Sequence, residues 1–244
     1  MAALAAATLC LTSGCSSFGY LAQSAHGQLS LMSAARPVSQ VLAEPDTSAE
    51  LRARLELSQR MRDYAIRELK LPDNRSYRSY ADLHRGAAVW NVVAAPELSL
   101  QLKTWCFPIV GCVGYRGYFD RASADAAADE LRHEGEEVSV YGVPAYSTLG
   151  WLNWLGGDPL LNTFIRYPEG ELARMIFHEL AHQEAYAAGD TEFNESFATC
   201  VEQIGGRRWL SEQAGAAARE EYERYDARRR DFQALTMAYR DKLD

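Results

Sequence analysis

The sequence predicts an α+β fold, in which a small β-sheet lies beside a helical core flanked by N- and C-terminal helices. Two observations predict it. Most β-prone or alternating segments lie between about residues 87 and 143, whereas helical patterns dominate before and after them. The chain also has 244 residues, of which 48% are hydrophobic, so it is long enough to bury a substantial core.

The first half of the chain changes from helical to strand-like patterns. Residues 18–40 are mostly helical in pattern, and a charged amphipathic helix follows the break at residues 44–48 and ends near Leu71. Alternation of leucines with polar residues predicts one of the strands, over residues 98–105. The other predicted strands cover residues 87–94, 111–119 and 137–143, and an alanine-rich helix covers residues 123–134.

Three helices are predicted in the last third of the chain. The first begins at Tyr167-Pro168-Glu169 and runs to about Ala188, where Gly189-Asp190 stops it. The second begins near Asp190 or Thr191 and ends at Gly205-Gly206. The third runs from Leu210 to Asp244, and its predicted apolar side consists of Tyr222, Tyr225, Phe232, Leu235 and Tyr239. The aromatic segment over residues 146–164 is predicted either to line a binding surface or to be a buried connection.

The N-terminal residues resemble the signal peptide of a bacterial lipoprotein. A small apolar run over residues 1–11 is followed by Thr-Ser-Gly-Cys, in which Cys15 is the candidate lipidated residue. The run is too short to span a bilayer, and the alternative is a short apolar helix. Ser16 fits sorting to the outer membrane. The prediction is a signal peptide over residues 1–15, a single domain over residues 16–244 and a lipid anchor facing the periplasm.

Charge and chain ends give two further expectations. A net charge of −8 and the lack of a basic stripe argue against a nucleic-acid partner. The last predicted helix reaches residue 244 without a cap or a turn, from which we expect a chain shortened at its C-terminus.

The cysteines fit an exported protein. Cys10 would leave with the signal peptide, whereas Cys106 and Cys112 flank a tight loop and are able to pair in an oxidising compartment. The alternative for these two is a pair of buried thiols. Cys200 lies in an apolar helical segment and is predicted to be a core thiol.

The most informative motif is His-Glu-x-x-His, formed by His178, Glu179 and His182 within a helical pattern. Residues four apart lie on one face of a helix, so both imidazoles are able to hold one metal ion. Glu179 is rotated about 100° from His178, which suits a carboxylate that acts on a metal-bound water without being a ligand. If the histidines are instead ordinary packing or surface residues, no metal site exists.

A third ligand is expected downstream, because catalytic zinc takes three protein ligands and leaves the fourth position to water. Glu195 is the preferred candidate, since it lies in the first turn of a helix that can pack against the two histidines. Two imidazoles and one carboxylate suit zinc. Glu202 lies two turns after Glu195 and is a candidate for contacts behind the ligands. The competing carboxylates are Glu184, Asp190, Glu192 and Glu202.

These motifs resemble the zinc-binding segments of gluzincin metallopeptidases. The resemblance rests on His-Glu-Leu-Ala-His-Gln at residues 178–183 and Asn-Glu-Ser-Phe-Ala at residues 194–198, and it implies that Glu195 is the third zinc ligand. Together with residues 112–119, the loop at 146–151 and the lipoprotein-like start, the motifs resemble a family of bacterial lipoproteins described as predicted aminopeptidases. The resemblance covers most of the chain and implies a zincin-like core.

Three departures from gluzincin aminopeptidases bear on this resemblance. The interval from His182 to Glu195 is shorter than in those enzymes, which requires a tight connecting turn. The segment of glycines and acids that binds a substrate's free amine is missing, so the aminopeptidase assignment is weaker than the metallopeptidase assignment. Thr199 stands where thermolysin-like relatives place a carboxylate that orients a zinc-bound histidine, so that orientation must be achieved by another residue.

The predicted function is zinc-dependent hydrolysis of peptide bonds in the cell envelope, with Glu179 as general base and acid. Tyr146 is the preferred oxyanion donor, and Tyr115 and Tyr118 are alternatives. The alternative function is that of a zinc-binding lipoprotein without catalytic activity, which acts as a scaffold or binding module. Such a scaffold would have no need of Glu179.

Overall fold

The fold is α+β, as the sequence predicted. The structure, a computed structural model, describes residues 19–107, 111–145, 156–187 and 189–243. In chain order its elements are α1 (residues 19–34), β1 (Arg36–Pro37), α2 (Val38–Ala43), α3 (Ala49–Arg67), β2 (Ser79–Ala81), β3 (Val89–Pro96), β4 (Trp105–Phe107), β5 (Gly111–Val113), β6 (Arg116–Tyr118), α4 (Arg121–His133), β7 (Glu136–Val143), β8 (Leu160–Leu161), α5 (Glu169–Ala181), α6 (Thr191–Glu212) and α7 (Ala216–Leu243).

These elements form two compact units. Within the described residues, the first unit contains residues 19–37, 79–145 and 158–163. The second unit contains residues 38–78, 156–157, 164–187 and 189–243. The division cuts through no described strand or helix, and both candidate metal-site motifs lie in the second unit. The predicted single domain over residues 16–244 stays a prediction.

The first unit holds the β-structure. Antiparallel strands in the order β6–β3–β7 form one sheet, and α4 packs on it through a core of Val92, Tyr118, Ala124 and Ala128. A second small sheet has the order β1–β2–β8, in which β8 is parallel to β2. The hairpin of β4 and β5 is closed by a disulfide between Cys106 and Cys112, at paired positions of the two strands.

The strand predicted over residues 98–105 is wrong, because only Trp105 of that range lies in a strand. The backbone turns directly after β3: the Ser99 N–H donates to the Pro96 carbonyl, and Leu98 adopts a φ of +59°. A left-handed residue interrupts an extended strand. The alternating leucines are consequently exposed, with Leu98 at 96%.

The second unit is helical and is built around α5 and α6, which pack closely against each other. Helix α3 adds Tyr64, whose ring stacks on Phe177 of α5 at 6.1 Å and meets Trp209 of α6 edge-on at 5.3 Å. Such aromatic contacts stabilise a core beyond the burial of their area. This cluster connects the helix that carries the histidines to the helix that carries Glu195.

Gly205 and Gly206 do not end α6, contrary to the prediction, and the helix continues to Glu212. Both glycines are buried where α6 meets its neighbours. A Cβ at Gly205 would come within 2.6 Å of Leu69 Cδ1, and one at Gly206 within 2.9 Å of Arg174 Cγ. The glycines therefore permit close packing inside a helix that is held by tertiary contacts, which override the weak helix propensity of glycine.

The long C-terminal helix α7 is shorter than predicted and mostly exposed. It starts at Ala216, and Tyr222 is its buried residue among those that the structure describes. The predicted apolar side is otherwise exposed, with Phe232 at 68%. Cys200 is also exposed, so its prediction as a core thiol was wrong. The apolar periodicity of the sequence predicted α7 but not which of its residues are buried.

Replacing Gly170 with alanine is expected to loosen the contact between α5 and α7. A Cβ there would lie 2.6 Å from Tyr222 Cδ2 and 3.1 Å from Tyr222 Cβ, which requires the ring and its backbone to shift. Overpacking of this kind costs about 1–3 kcal/mol. Urea unfolding of Gly170→Ala measures the loss. In Gly86→Ala, the control, the new Cβ meets no described atom within 4 Å, and stability should not fall.

Among the described residues, no helix combines the length and the apolar character that crossing a bilayer requires.

Candidate metal centre

Helix α5 positions both histidines of the His-Glu-x-x-His motif. It buries an apolar face that includes Leu172, Ile176 and Leu180, and the two imidazoles follow at the C-terminal end of the helix. The helix ends at Ala181 with His182 as its C-cap, so the predicted continuation to about Ala188 was wrong. The backbone of His182 is still helical, and its N–H donates to the His178 carbonyl at 3.3 Å.

The structure brings together the three side chains that the sequence predicted as candidate ligands. The Nε2 atoms of His178 and His182 are 3.1 Å apart. The Glu195 carboxylate faces both, with one oxygen 3.4 Å from His178 Nε2 and the other 3.5 Å from His182 Nε2. These side chains form a group whose candidate ligand atoms all lie within 4.8 Å of one another.

This geometry fits a zinc ion. Zn–N bonds of about 2.0–2.1 Å in a tetrahedral arrangement separate two nitrogen ligands by about 3.3–3.4 Å. The observed 3.1 Å between the two Nε2 atoms is close to that separation. Two imidazoles and a carboxylate are also a donor set that zinc accepts.

Glu202 orients His178 from behind. Its Oε2 lies 3.0 Å from His178 Nδ1, and its Oε1 accepts a hydrogen bond from Arg174 Nη2. A proton on Nδ1 that is donated to this carboxylate leaves the Nε2 lone pair directed at Glu195 and His182. Thermolysin-like relatives place the orienting carboxylate at the position of Thr199. In this protein Glu202, about one turn later, provides it.

Burial and charge act differently on the two histidines. Burial lowers the pKa of His178, but the hydrogen bond to Glu202 and the charges of Glu179, Glu202 and Glu195 outweigh it and leave the pKa raised. Burial and the neighbouring His178 lower the pKa of His182. Burial favours the neutral form of Glu202, yet hydrogen bonds from His178 and Arg174 hold its pKa below the usual range.

His182 is more buried than its partner, and one of its ring atoms is unsatisfied. Only 6% of its side chain is exposed, and Nδ1 has no hydrogen-bond partner among the described residues. His178, by contrast, uses both ring nitrogens. The orientation of His182 therefore depends on packing, while that of His178 depends on Glu202.

Asn194 makes the short connection between the two metal-site helices possible, a role that sequence reasoning missed. This residue is 3% exposed, and its amide both accepts from the Ala187 N–H at 2.7 Å and donates to the Ala187 carbonyl at 2.9 Å. Asp190 caps α6 by accepting from the Phe193 N–H. As a result the chain turns between His182 and Thr191, and Glu195 lies near the start of a new helix instead of on an extended α5.

The variant Asn194→Ala is expected to lose about 1–3 kcal/mol of stability, because it leaves the N–H and C=O of Ala187 without their partner. Guanidinium or urea unfolding measures the change. Asn194→Asp keeps the acceptor and loses the donor, so it should fall between alanine and wild type. Unfolding midpoints that do not differ among the three proteins would show that the amide does not hold this connection.

Glu179 lines a cavity of about 230 Å³ beside His178. The other lining residues are Tyr167, Glu171, Arg174, Met175, Glu202 and Arg229. Of the carboxylates that compete with Glu195, Glu184 and Glu192 are exposed and Asp190 serves as the α6 cap. None of these three belongs to the His178–His182–Glu195 group.

The remaining predicted site residues are the lipidation candidate and the three candidate oxyanion donors. Cys15 and Tyr146 lie outside the described residues. Tyr118 is buried in the sheet core of the first unit, and Tyr115 is 46% exposed. The oxyanion donor stays a prediction.

Comparison with known protein families supports the peptidase interpretation of the motif. No curated protein and no solved structure matches the chain. A family model does match, over residues 19–244, which includes both metal-site helices and the sheet. The chain therefore belongs to the family described as "Putative aminopeptidase".

Proposed function

We propose that this protein is a zinc-dependent metallopeptidase that removes residues from the N-termini of peptides in the bacterial cell envelope. The observation that carries the proposal is the convergence of His178, His182 and Glu195, with Glu179 directly after the first ligand. Membership in the aminopeptidase family supports the substrate class. A scaffold that only bound zinc would not require Glu179.

The residues divide the chemistry among themselves. His178, His182 and Glu195 would hold zinc, which when bound lowers the pKa of water and polarises a carbonyl. Glu179 accepts a proton from the attacking water and donates it to the leaving amine. Glu202 keeps His178 in one tautomer and one orientation.

The experiment combines metal analysis with peptide cleavage. Purified protein is expected to retain about one zinc per chain and to release N-terminal residues from peptides with a free α-amine. The same peptides with an acetylated N-terminus should be cleaved far more slowly if the protein is an aminopeptidase, and equally if it is an endopeptidase. Zinc binding without cleavage of any peptide in a varied panel would favour the non-catalytic scaffold.

We further propose that a lipid on Cys15 anchors the protein to the outer membrane, facing the periplasm. The support is the apolar run and Thr-Ser-Gly-Cys segment at the N-terminus. Labelling with a radioactive or clickable fatty acid tests this. Wild type should take up label and sediment with outer membranes, whereas Cys15→Ala should not be labelled. Equal labelling of both proteins would contradict the anchor.

A further inference from the structure

Arg174 lies on the Nδ1 side of His178, away from the candidate metal position. Its described hydrogen bond goes to Glu202 and not to any of the three candidate ligands. We propose that it is a positioning residue, which holds Glu202 against His178 and thereby sets the orientation of this ligand. The inference rests on the proposed metal site and adds to it a residue that neither motif contains. It concerns metal affinity directly and does not depend on which peptide is cleaved.

The first argument is that the guanidinium of Arg174 is committed to Glu202. Arg174 is 7% exposed, and its Nη2 donates to Glu202 Oε1. Its other side-chain nitrogens, Nε and Nη1, are buried without a hydrogen-bond partner among the described residues. A buried cation is costly unless it is paired and hydrogen-bonded. The bond to Glu202 is therefore the hydrogen bond that offsets the burial of Arg174 among the described residues.

The second argument is that Glu202 divides its two oxygens between Arg174 and His178. One oxygen accepts from Arg174, and the other lies 3.0 Å from His178 Nδ1. The side chain of Glu202 is only 12% exposed, so water offers it few alternative donors. With the first oxygen fixed by Arg174, the second is directed at the imidazole. Without Arg174, the carboxylate loses this fixed partner and is free to rotate.

The third argument is that residues of three helices surround the Arg174 side chain. On α6, Gly206 has no side chain, and a Cβ there would lie 2.9 Å from Arg174 Cγ. On α7, the ring of Tyr222 lies 6.0 Å from the guanidinium carbon in a cation–π contact. On α5, Glu171 is 3.9 Å from Arg174 Nη1 and is itself held by two bonds from Arg229. Arg174 is thus packed between α5, α6 and α7 and is 7% exposed.

The chain of contacts has a direction. It leads to Arg174 from Tyr222 directly and from Arg229 through Glu171. From Arg174 it continues through Glu202 to Nδ1 of His178, the ring nitrogen opposite the candidate metal-binding one. Partners of metal-bound histidines in other proteins change metal affinity by about 10–100-fold when they are removed. Arg174 acts one step further away, and its whole effect should pass through Glu202.

The test is a double-mutant cycle on zinc affinity with Arg174→Met and Glu202→Gln. Each single variant is expected to raise the zinc Kd by about 10–100-fold, and the double variant should be no weaker than Glu202→Gln alone. The d–d spectrum of cobalt-substituted protein should change in both single variants. Effects of the two substitutions that multiply would overturn the proposal, because Arg174 would then act independently of Glu202.

Two further variants keep the result interpretable. Arg174→Lys retains a positive charge that can reach Glu202, so it should recover part of the zinc affinity even if Arg174→Met folds poorly. Arg52→Met removes another helical arginine, whose guanidinium bonds the carbonyls of Leu42 and Glu44, and should leave the zinc Kd unchanged. A zinc Kd in Arg174→Lys and Arg174→Met equal to that of wild type would refute positioning by Arg174.

The outcomes separate this inference from the proposed function. Wild type that binds zinc and cleaves peptides, with Arg174 variants of unchanged affinity, contradicts only the positioning role. Wild type that binds zinc but cleaves nothing contradicts the peptidase proposal and leaves the affinity cycle valid. Wild type that binds no divalent metal would overturn both.

Discussion

Glu179→Gln is expected to lower kcat for peptide cleavage by about 10²–10⁴-fold, the range that general acid–base catalysis contributes. The amide has nearly the same shape as the carboxylate but cannot accept the proton of the attacking water. Glu179 is not a member of the His178–His182–Glu195 group, so zinc content should stay at the wild-type level. Steady-state rates and metal analysis on the same preparation measure both quantities.

Glu184→Gln is the matched control for this variant. Glu184 is an exposed glutamate that lies two residues after His182, in the turn that follows α5. Its substitution removes the same negative charge from the same region of the chain and should leave kcat unchanged. A wild-type rate in Glu179→Gln, or equal losses in the two variants, would remove Glu179 from the mechanism.

Glu195→Ala is expected to weaken zinc binding by on the order of a hundredfold or more, since even partners behind the ligands are worth 10–100-fold. The carboxylate lies 3.4–3.5 Å from both Nε2 atoms, and its loss would leave two protein ligands. Zinc at about 100 times its Kd should stabilise wild type by about 2.7 kcal/mol. The thermal shift on zinc addition should therefore be reduced sharply or disappear in Glu195→Ala.

Glu192→Ala provides the comparison, because Glu192 is an exposed glutamate in the first turn of the same helix. The zinc-dependent thermal shift of this variant should match that of wild type. If Glu192→Ala lost the shift and Glu195→Ala kept it, the third ligand would have been assigned to the wrong carboxylate. Isothermal titration of both variants with zinc gives the Kd values independently.

The sequence predicted the centre of the site because its chemistry is local. His178 and His182 are four residues apart, and any helix through them puts the imidazoles on one face. The same reasoning placed the start of α6 at Asp190 or Thr191, where the Asp190 side chain caps the helix. Its place in the first turn of the next helix then singled out Glu195 among nearby acids, and the structure places its carboxylate beside both imidazoles.

Predictions failed where distant residues decide the outcome. The glycine pair at 205 and 206 is a reasonable helix end by propensity, but packing against Leu69 and Arg174 keeps the helix intact. Leu98 lies in a strand-like alternation, yet a turn directly after Pro96 interrupts the extended backbone. Whether an apolar residue is buried depends on a partner that the local pattern does not contain.

The sequence alone determined the α+β class and the His178–Glu179–His182 motif, because helical periodicity and ligand spacing are properties of contiguous residues. Tertiary structure decided how the motif is held. Arg174 and Glu202 are 28 residues apart, and only the packing of α5 on α6 turns them into the support of His178. Side-chain contacts of such separation follow from helix packing, which no local pattern specifies.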